Sequence, residues 1–228
     1  EYQKYFADQL ELRRHTPQDD ILTDLVNAQI DNDDAEGFDS TPLNIAEMLS
    51  IIQQLLVAGN QTTTHLLGEM LLLLDEHPEQ WARLTEDPLY GKDVADEALR
   101  LAAPTQGMFR VVSQDTQIGS TTLSAGSKVV LMYAAANRDP EIWEHPDTFQ
   151  PGREGQAKHL SFGKGPHYCV GAGLARLEAR IVAETLGERL SNIQVTNRSE
   201  LRYIPSFVLR GPQRIDVVVS AKEAAGNG

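Results

Sequence analysis

Phe162-Gly163-Lys164-Gly165-Pro166-His167-Tyr168-Cys169-Val170-Gly171 is the stretch from which the rest of the chain can be read. Two glycines and a proline ahead of the cysteine, with Gly171 behind it, describe a tight loop whose backbone something large can approach closely. Beyond it Leu174, Leu177 and Ile181 recur at helical spacing and give one apolar face, so a helix is expected to resume with Cys169 in its first turn. Unpaired N–H groups and the positive end of the helix dipole would stabilise a thiolate there. A thiolate backed by backbone donors is the electronic setting of a heme axial ligand, in which thiolate donation favours O–O cleavage. Two other readings stay open at this point. A free cysteine is most often a small buried hydrophobe. A nucleophilic cysteine needs a base oriented by a third group, which nothing in the sequence places.

Cys169 is the only cysteine among 228 residues, which excludes an intramolecular disulfide and any multi-cysteine zinc site and favours a reducing compartment. The formal charge of −13 argues against a nucleic-acid partner. Much of it is local, since residues 1–40 hold 11 acidic and 3 basic side chains. No run approaches the roughly 18 consecutive apolar residues of a membrane-spanning helix. The opening Glu1-Tyr2-Gln3-Lys4-Tyr5 has neither the basic region nor the apolar core of a signal peptide, and no methionine, so it reads as a cut through something longer. A cytoplasmic protein without membrane contact is the expectation.

Working upstream, Asn137 to Tyr168 look mostly irregular, with Pro140, Pro146, Pro151 and Pro166. Phe109-Arg110-Val111-Val112, Thr116-Gln117-Ile118 and Lys128 to Tyr133 read as short strands joined by Gly and Ser turns. A helix is expected around Asp93 to Leu101, stopping near Pro104. Before it, Ser40-Thr41-Pro42 offers an N-cap for a periodic segment running to Pro78, roughly 50 Å if helical throughout. Strongly apolar flanks there enclose Ala58-Gly59-Asn60-Gln61-Thr62-Thr63-Thr64, a cluster that costs helix propensity and invites a local distortion. Residues 1–30 carry apolar positions at helical spacing, and the acidic run Asp31 to Asp39 reads as a solvated loop. Downstream, Tyr203 to Val219 show strand-like runs broken at Gly211-Pro212. The fold class expected is α+β, helix-dominated, with small antiparallel sheets.

The pattern Phe162-Gly-x-Gly-x-His167-x-Cys169-x-Gly171 resembles the heme-binding signature of the cytochrome P-450 family of heme-thiolate monooxygenases. Ala58-Gly59-Asn60-Gln61-Thr62-Thr63 resembles the oxygen-activation segment of that family's long central helix, and Glu97-Ala98-Leu99-Arg100 its Glu-x-x-Arg helix. Phe149-Gln150-Pro151-Gly152-Arg153 is similar to the segment that supplies a second arginine to the Glu-Arg pair. Asn137-Arg138-Asp139-Pro140 and Pro205 to Gly211 are phrases typical of soluble bacterial members. Glu-x-x-Arg alone carries little, because an i,i+3 ion pair on a helix surface is common. The cysteine signature with the helix motif upstream is specific.

The resemblance implies the P-450 fold and heme b (iron protoporphyrin IX), with Cys169 as iron ligand. Phe162 would pack beside the sulfur and Ala175 against the porphyrin face, with Gly163 among the cofactor-binding residues. His167 and Arg110 match positions that bind the heme propionates. Ala58 and Gly59 would let dioxygen and substrate approach the long helix, and Thr62 would hold the water or oxygen species whose protonation triggers O–O cleavage. Glu97, Arg100 and Arg153 would form a structural network behind the heme. Val57, Thr105, Gln106 and Phe207 would face a hydrophobic small-molecule substrate. Electrons would come from NAD(P)H through a reductase and a ferredoxin or flavodoxin. Residues 152–189, with 6 basic and 4 acidic side chains, offer Lys158, Lys164 and Arg176 to steer an acidic carrier.

Two departures stand out. Gln61 occupies the place of an acid that in the family serves proton delivery, and an amide orients water without exchanging a proton in the same way. The resemblance also covers only the C-terminal part of the family's chain, so residues 1–228 are expected to be the heme-binding part of one domain whose N-terminal sheet and lid helices are absent. A truncated fragment without catalytic activity, or a peroxide-driven hydroxylase, are the alternatives, although the relay threonine Thr62 argues against peroxide.

Overall fold

The computed structural model describes residues 1–30 and 41–223. The run Asp31 to Asp39 and Ser40 lie outside the described residues. Contacts divide the chain into two units, Glu1–Asn60 and Gln61–Gly228.

In the first unit, helices α1 (Tyr2–His15) and α2 (Ile21–Asn27) precede a two-residue antiparallel pair, β1 (Gln29–Ile30) and β2 (Thr41–Pro42). Asp20 caps α2 by accepting from the Thr23 N–H at 2.9 Å. Leu10, Met48 and Ile52 form the core, with Phe6, Leu22, Leu25 and Val26 packed on it.

The long helix α3 (Ile45–Glu76) belongs to both units. Its start differs from the expected one. Thr41 and Pro42 are used as strand residues, and Asn44 is the cap. The Asn44 Oδ1 accepts from the N–H groups of Ala46 (2.9 Å) and Glu47 (3.1 Å), and the Glu47 carboxylate accepts the Asn44 N–H at 2.8 Å. That is a reciprocal capping box, which satisfies orphan donors that a Ser40 start would leave open. The helix runs unbroken through Ala58 to Thr64. One glycine costs about 1 kcal/mol in a helix interior, which long apolar flanks can offset.

In the second unit, α3 is followed by α4 (Pro78–Glu86), α5 (Gly91–Ala102) and α7 (Ala172–Arg189), with a single turn α6 (Tyr133–Ala136) between. Helix α5 is the most buried element, with Val94 to Ala102 all enclosed and Ala103 ending it in the left-handed region at φ 37°. Leu66, Met70, Leu74, Trp81, Leu84, Phe149, Ala179 and Ala183 belong to the same core. Strands pair antiparallel in twos: β3 (Met108–Val111) with β6 (Lys128–Leu131), β4 (Thr116–Ile118) with β5 (Thr121–Leu123), and β7 (Leu190–Val195) with β8 (Val217–Ala221). Helices with small antiparallel sheets are the class expected. Tyr133, expected at the end of a strand, instead opens α6, because the ladder stops at Leu131 opposite Met108.

Helix α7 carries the expected apolar face, Leu174, Leu177 and Ile181, but buries another side. Its buried side is Ala172, Ala179, Ala183 and Gly187, and it packs so tightly that a methyl on Gly187 would lie 2.6 Å from the Leu84 carbonyl oxygen. Small residues bring the backbones together. The apolar stripe Leu174, Leu177 and Ile181 is left exposed, at 61%, 49% and 50%.

Candidate functional site

The glycine loop takes the shape its composition demands. Gly163 and Gly165 both have positive φ, 67° and 78°, which a side chain would strain. Between them and the helix the chain turns back so that the Cys169 N–H donates to the Phe162 carbonyl at 3.0 Å. Helix α7 begins only at Ala172, with Gly171 as its cap, and the Cys169 carbonyl accepts the Ala172 N–H at 3.3 Å. Cys169 therefore lies in the loop before the helix and not in its first turn, because its own N–H is consumed by the loop. Its thiol is exposed, so the structural reading of a buried hydrophobe does not hold.

Behind this loop stands a cluster the sequence did not reveal. Phe162 lies 5.6 Å from the His159 ring, and the Arg176 guanidinium stacks on Phe162 at 4.5 Å from its centroid. Arg176 also donates to Asp96 Oδ1 (3.1 Å) and to the Tyr168 hydroxyl (3.2 Å). Burial, with the Arg176 and Arg100 charges nearby, lowers the His159 pKa to about 4. Its Nδ1 accepts the Ser161 N–H at 3.3 Å, which is a role for a neutral imidazole.

A second cluster is fully buried. Arg100 uses all its N–H donors: Nε and Nη2 grip the Glu97 carboxylate at 2.9 and 2.8 Å, and the remainder reach the carbonyls of Asn137, Pro146 and Thr148. Glu97 Oε1 also accepts from Arg153 Nε at 2.9 Å and from the Gln150 N–H at 3.1 Å. Arg153 continues to the carbonyls of Glu144, His145 and Thr148. One carboxylate faces two guanidiniums, and carbonyl dipoles take up the surplus charge. Asn137, fully buried, ties this network to the cysteine loop. Its Nδ2 donates to the Arg100 carbonyl (3.0 Å) and the Ser161 Oγ (2.8 Å), and its Oδ1 accepts the Leu160 N–H (2.7 Å).

The remaining expected residues fall into separate places. Thr105 bridges to Leu209, and the Gln106 N–H donates to the Val208 carbonyl at 2.8 Å, which sets Phe207 in an exposed turn 6.2 Å from the Phe109 ring. Arg110 lies on β3 beside a roughly 400 Å³ hollow lined by Phe109, Val111 and Lys128, and its Nη1 donates to the Phe109 carbonyl. His167 is exposed in the loop, and Ala175 is half-buried on α7. Gln61 and Thr62 begin the second unit on α3, whereas Val57, Ala58 and Gly59 belong to the first. Missed by sequence reasoning were His159, Ser161, Asp96 and the anchoring role of Asn137. A polar residue in an irregular, proline-rich stretch looks solvated, so no sequence signal distinguished them. His65 was missed too. It is 6% exposed on α3 beneath Gly211, and neither ring nitrogen has a hydrogen-bond partner among the described residues.

The donor set fits a heme. A single thiolate sulfur is a suitable ligand for iron already caged by a macrocycle. Beside it are an uncovered apolar stripe on α7 and a backbone cradle of glycines. Arg110 and His167 are donors apt for carboxylates. Gly59 adds a point: a methyl there would meet nothing within 4 Å, so the chain's own packing does not demand a glycine.

Comparisons with known proteins agree in kind. The family model described as Cytochrome P450 matches residues 1–217. The chain is 37% identical over 213 residues to a biotin biosynthesis cytochrome P450 of Bacillus subtilis, covering 93% of this chain and 51% of that one. It is 33% identical over 222 residues to a linalool 8-monooxygenase of Pseudomonas putida, covering 97% and 52%. Among solved structures, a cytochrome P450 from Chondromyces apiculatus superposes with a TM-score of 0.88 at 37% identity, covering 98% of this chain and 55% of that one. The chain thus spans about half the length of the curated relatives it matches. Among the described residues no helix is long and apolar enough to cross a membrane.

Proposed function

The chain belongs to the cytochrome P450 family, and from that premise we propose that residues 1–228 are the C-terminal, heme-binding part of a monooxygenase domain in which Cys169 is the ligand to the iron of heme b. The observation that carries this reading is the exposed thiol of Cys169, held by a glycine-hinged loop at the head of a helix whose apolar stripe is uncovered. Bound heme supplies the chemistry of dioxygen: one oxygen atom enters an organic substrate and the other leaves as water, at the expense of two electrons and two protons.

The chain's own residues do the rest. Cys169 offers its sulfur from a loop whose shape is fixed by the Phe162 carbonyl and by the glycines at 163 and 165. Arg110 and His167 bind the propionates, which must be neutralised to be drawn from water. Ala175 leaves room for a flat ring on α7, and the small residues Ala58 and Gly59 leave room for a ligand on the first unit's part of α3. Thr62 holds and passes a proton at its Oγ1, with Gln61 beside it orienting water. Glu97, Arg100 and Arg153 keep the peptide behind the loop in place. Thr105, Gln106 and Phe207 in the second unit, and Val57 in the first, are each apt to touch a hydrophobic small molecule. Linalool, named for one relative, is of that class. A ferredoxin or flavodoxin, reduced from NAD(P)H, delivers the electrons near the exposed Lys158 and Lys164.

The test is spectroscopic. Purified chain supplied with hemin, reduced and exposed to carbon monoxide, is expected to show the red-shifted Soret band of a thiolate ligand, and Cys169→Ser is expected to lose it. A band that survives in Cys169→Ser removes the ligand assignment. Absence of heme uptake by the parent chain favours the second reading, a fragment without activity of its own.

A further inference from the structure

The Arg176 side chain is 30% exposed, and its donors are engaged by neighbouring groups of the chain. One guanidinium makes four separate contacts. Its face lies on Phe162, whose carbonyl holds the Cys169 N–H. Its Nη1 donates to the hydroxyl of Tyr168, the residue before the cysteine, at 3.2 Å, and its Nη2 stands 3.5 Å from His159 Nε2. Its Nε donates to Asp96 on α5 at 3.1 Å. The loop is thereby held at Phe162 and Tyr168, ahead of the cysteine, by a side chain of α7 that is itself tied to the buried helix α5 through Asp96. Only a planar fork can stack and donate in divergent directions at once, so lysine would not substitute.

The same arrangement places a charge pair behind the loop. Asp96 is 7% exposed, and it is the carboxylate bonded to Arg176. Half-buried charges act through a lower effective dielectric than exposed ones. Iron held by a thiolate gains one negative charge when it takes an electron from its carrier, with no bond made or broken. A cation nearby favours that state, and an unpaired carboxylate opposes it.

We propose that Arg176 is a positioning residue for Cys169, acting through Phe162 and Tyr168, and that Arg176 and Asp96 balance one another's charge behind the loop, so that removing either one alone shifts the reduction potential of the iron that Cys169 holds. The second half rests on Cys169 being the ligand, and the first does not.

Two measurements on the full chain test it. Without heme, hydrogen exchange of the 159–171 loop is read in the parent, Arg176→Met and Arg176→Lys. The Cys169 amide is expected to exchange at least about tenfold faster in both variants while α5 keeps its protection. Unchanged exchange in both overturns the positioning role. With heme, dithionite titrations are read for Arg176→Met, Asp96→Asn and the double variant. Arg176→Met is expected to lower the midpoint by an amount worth about tenfold in the reduction equilibrium, about 59 mV for one electron. Asp96→Asn is expected to raise it, and the double variant to return close to the parent. A merely structural pair would move both singles the same way or leave the potential unchanged, and either result overturns the charge assignment. Tyr168→Phe, which removes one hydrogen bond and no charge, is expected to speed loop exchange without moving the potential; a shift equal to that of Arg176→Met counts against the proposal. If the thiolate band survives in Cys169→Ser, the ligand reading has failed, and the exchange result still decides the positioning role.

Discussion

At the scale of single residues, two buried histidines carry most of the unexpected physics. His65 and Gly211 touch so closely that a methyl on Gly211 would overlap the imidazole. Gly211→Ala is therefore expected to destabilise the chain by about 1–3 kcal/mol through overpacking. In a His65→Ala background the same change should cost far less, and a urea-denaturation double-mutant cycle reads that coupling. Equal costs in the two backgrounds would contradict the contact. His159 acts through protonation. With its pKa lowered to about 4 from 6.5, the folded chain keeps it neutral while the unfolded chain takes up a proton. Stability is then lost as pH falls from about 6.5 toward 4, by on the order of 3 kcal/mol. His159→Asn, which can still accept the Ser161 N–H, is expected to flatten that decline between pH 7 and 4.5. Gln61 is the third residue of note. If it cannot relay a proton, Gln61→Glu should raise the ratio of product formed to NAD(P)H consumed in the working enzyme, and an unchanged ratio would dismiss the idea.

At the scale of elements, helix α5 is held by polar groups as much as by packing. Breaking a buried ion pair from one side leaves an uncompensated charge, at a cost of about 3–5 kcal/mol. Arg100→Lys is expected to cost that much despite keeping the charge, because a lysine cannot hold Glu97 and reach three carbonyls together. Thermal unfolding of the variant checks it, and a loss below about 1 kcal/mol would show the fork to be dispensable. The elements also show what a sequence can and cannot display. The ends of α5 were legible because Pro104 stops it, and the hairpin strands because turns flank them. The start of α3 was misplaced at Ser40 because Asn44 and Glu47 form a cap only as a pair, three residues apart. The core side of α7 was not legible, because periodicity shows the apolar face Leu174, Leu177 and Ile181, whereas the buried side is made of alanines and a glycine. Thr121–Leu123 and Leu190–Val195 were missed as strands because each is defined by a partner, one adjacent and one distant. The cysteine loop was legible from glycine and proline alone, but Asn137, Ser161 and Asp96 are buried by contacts no local pattern records.

At the scale of the whole molecule, the exposed apolar surface decides what to expect of the isolated chain. Leu174, Leu177 and Ile181 on α7 and Phe109, Val111 and Phe207 nearer β3 stand uncovered. A heme seated on Cys169 would cover part of this surface and bind the folded state alone, so it should act as a stabilising ligand. At about a hundredfold excess over the dissociation constant, such a ligand contributes about 2.7 kcal/mol. For a chain of this length each kcal/mol raises Tm by roughly 2–4 °C, so hemin is expected to raise the melting temperature by roughly 5–10 °C. Cys169→Ser should lose much of the shift, because the iron–sulfur bond goes while the apolar contacts remain. Leu177→Gln should lose a smaller share, because the stripe is polar at one point while the ligand stays. An equal shift in the parent and Cys169→Ser would mean that hemin binds by apolar contact alone, and the thiol would lose its place as the anchor of the site.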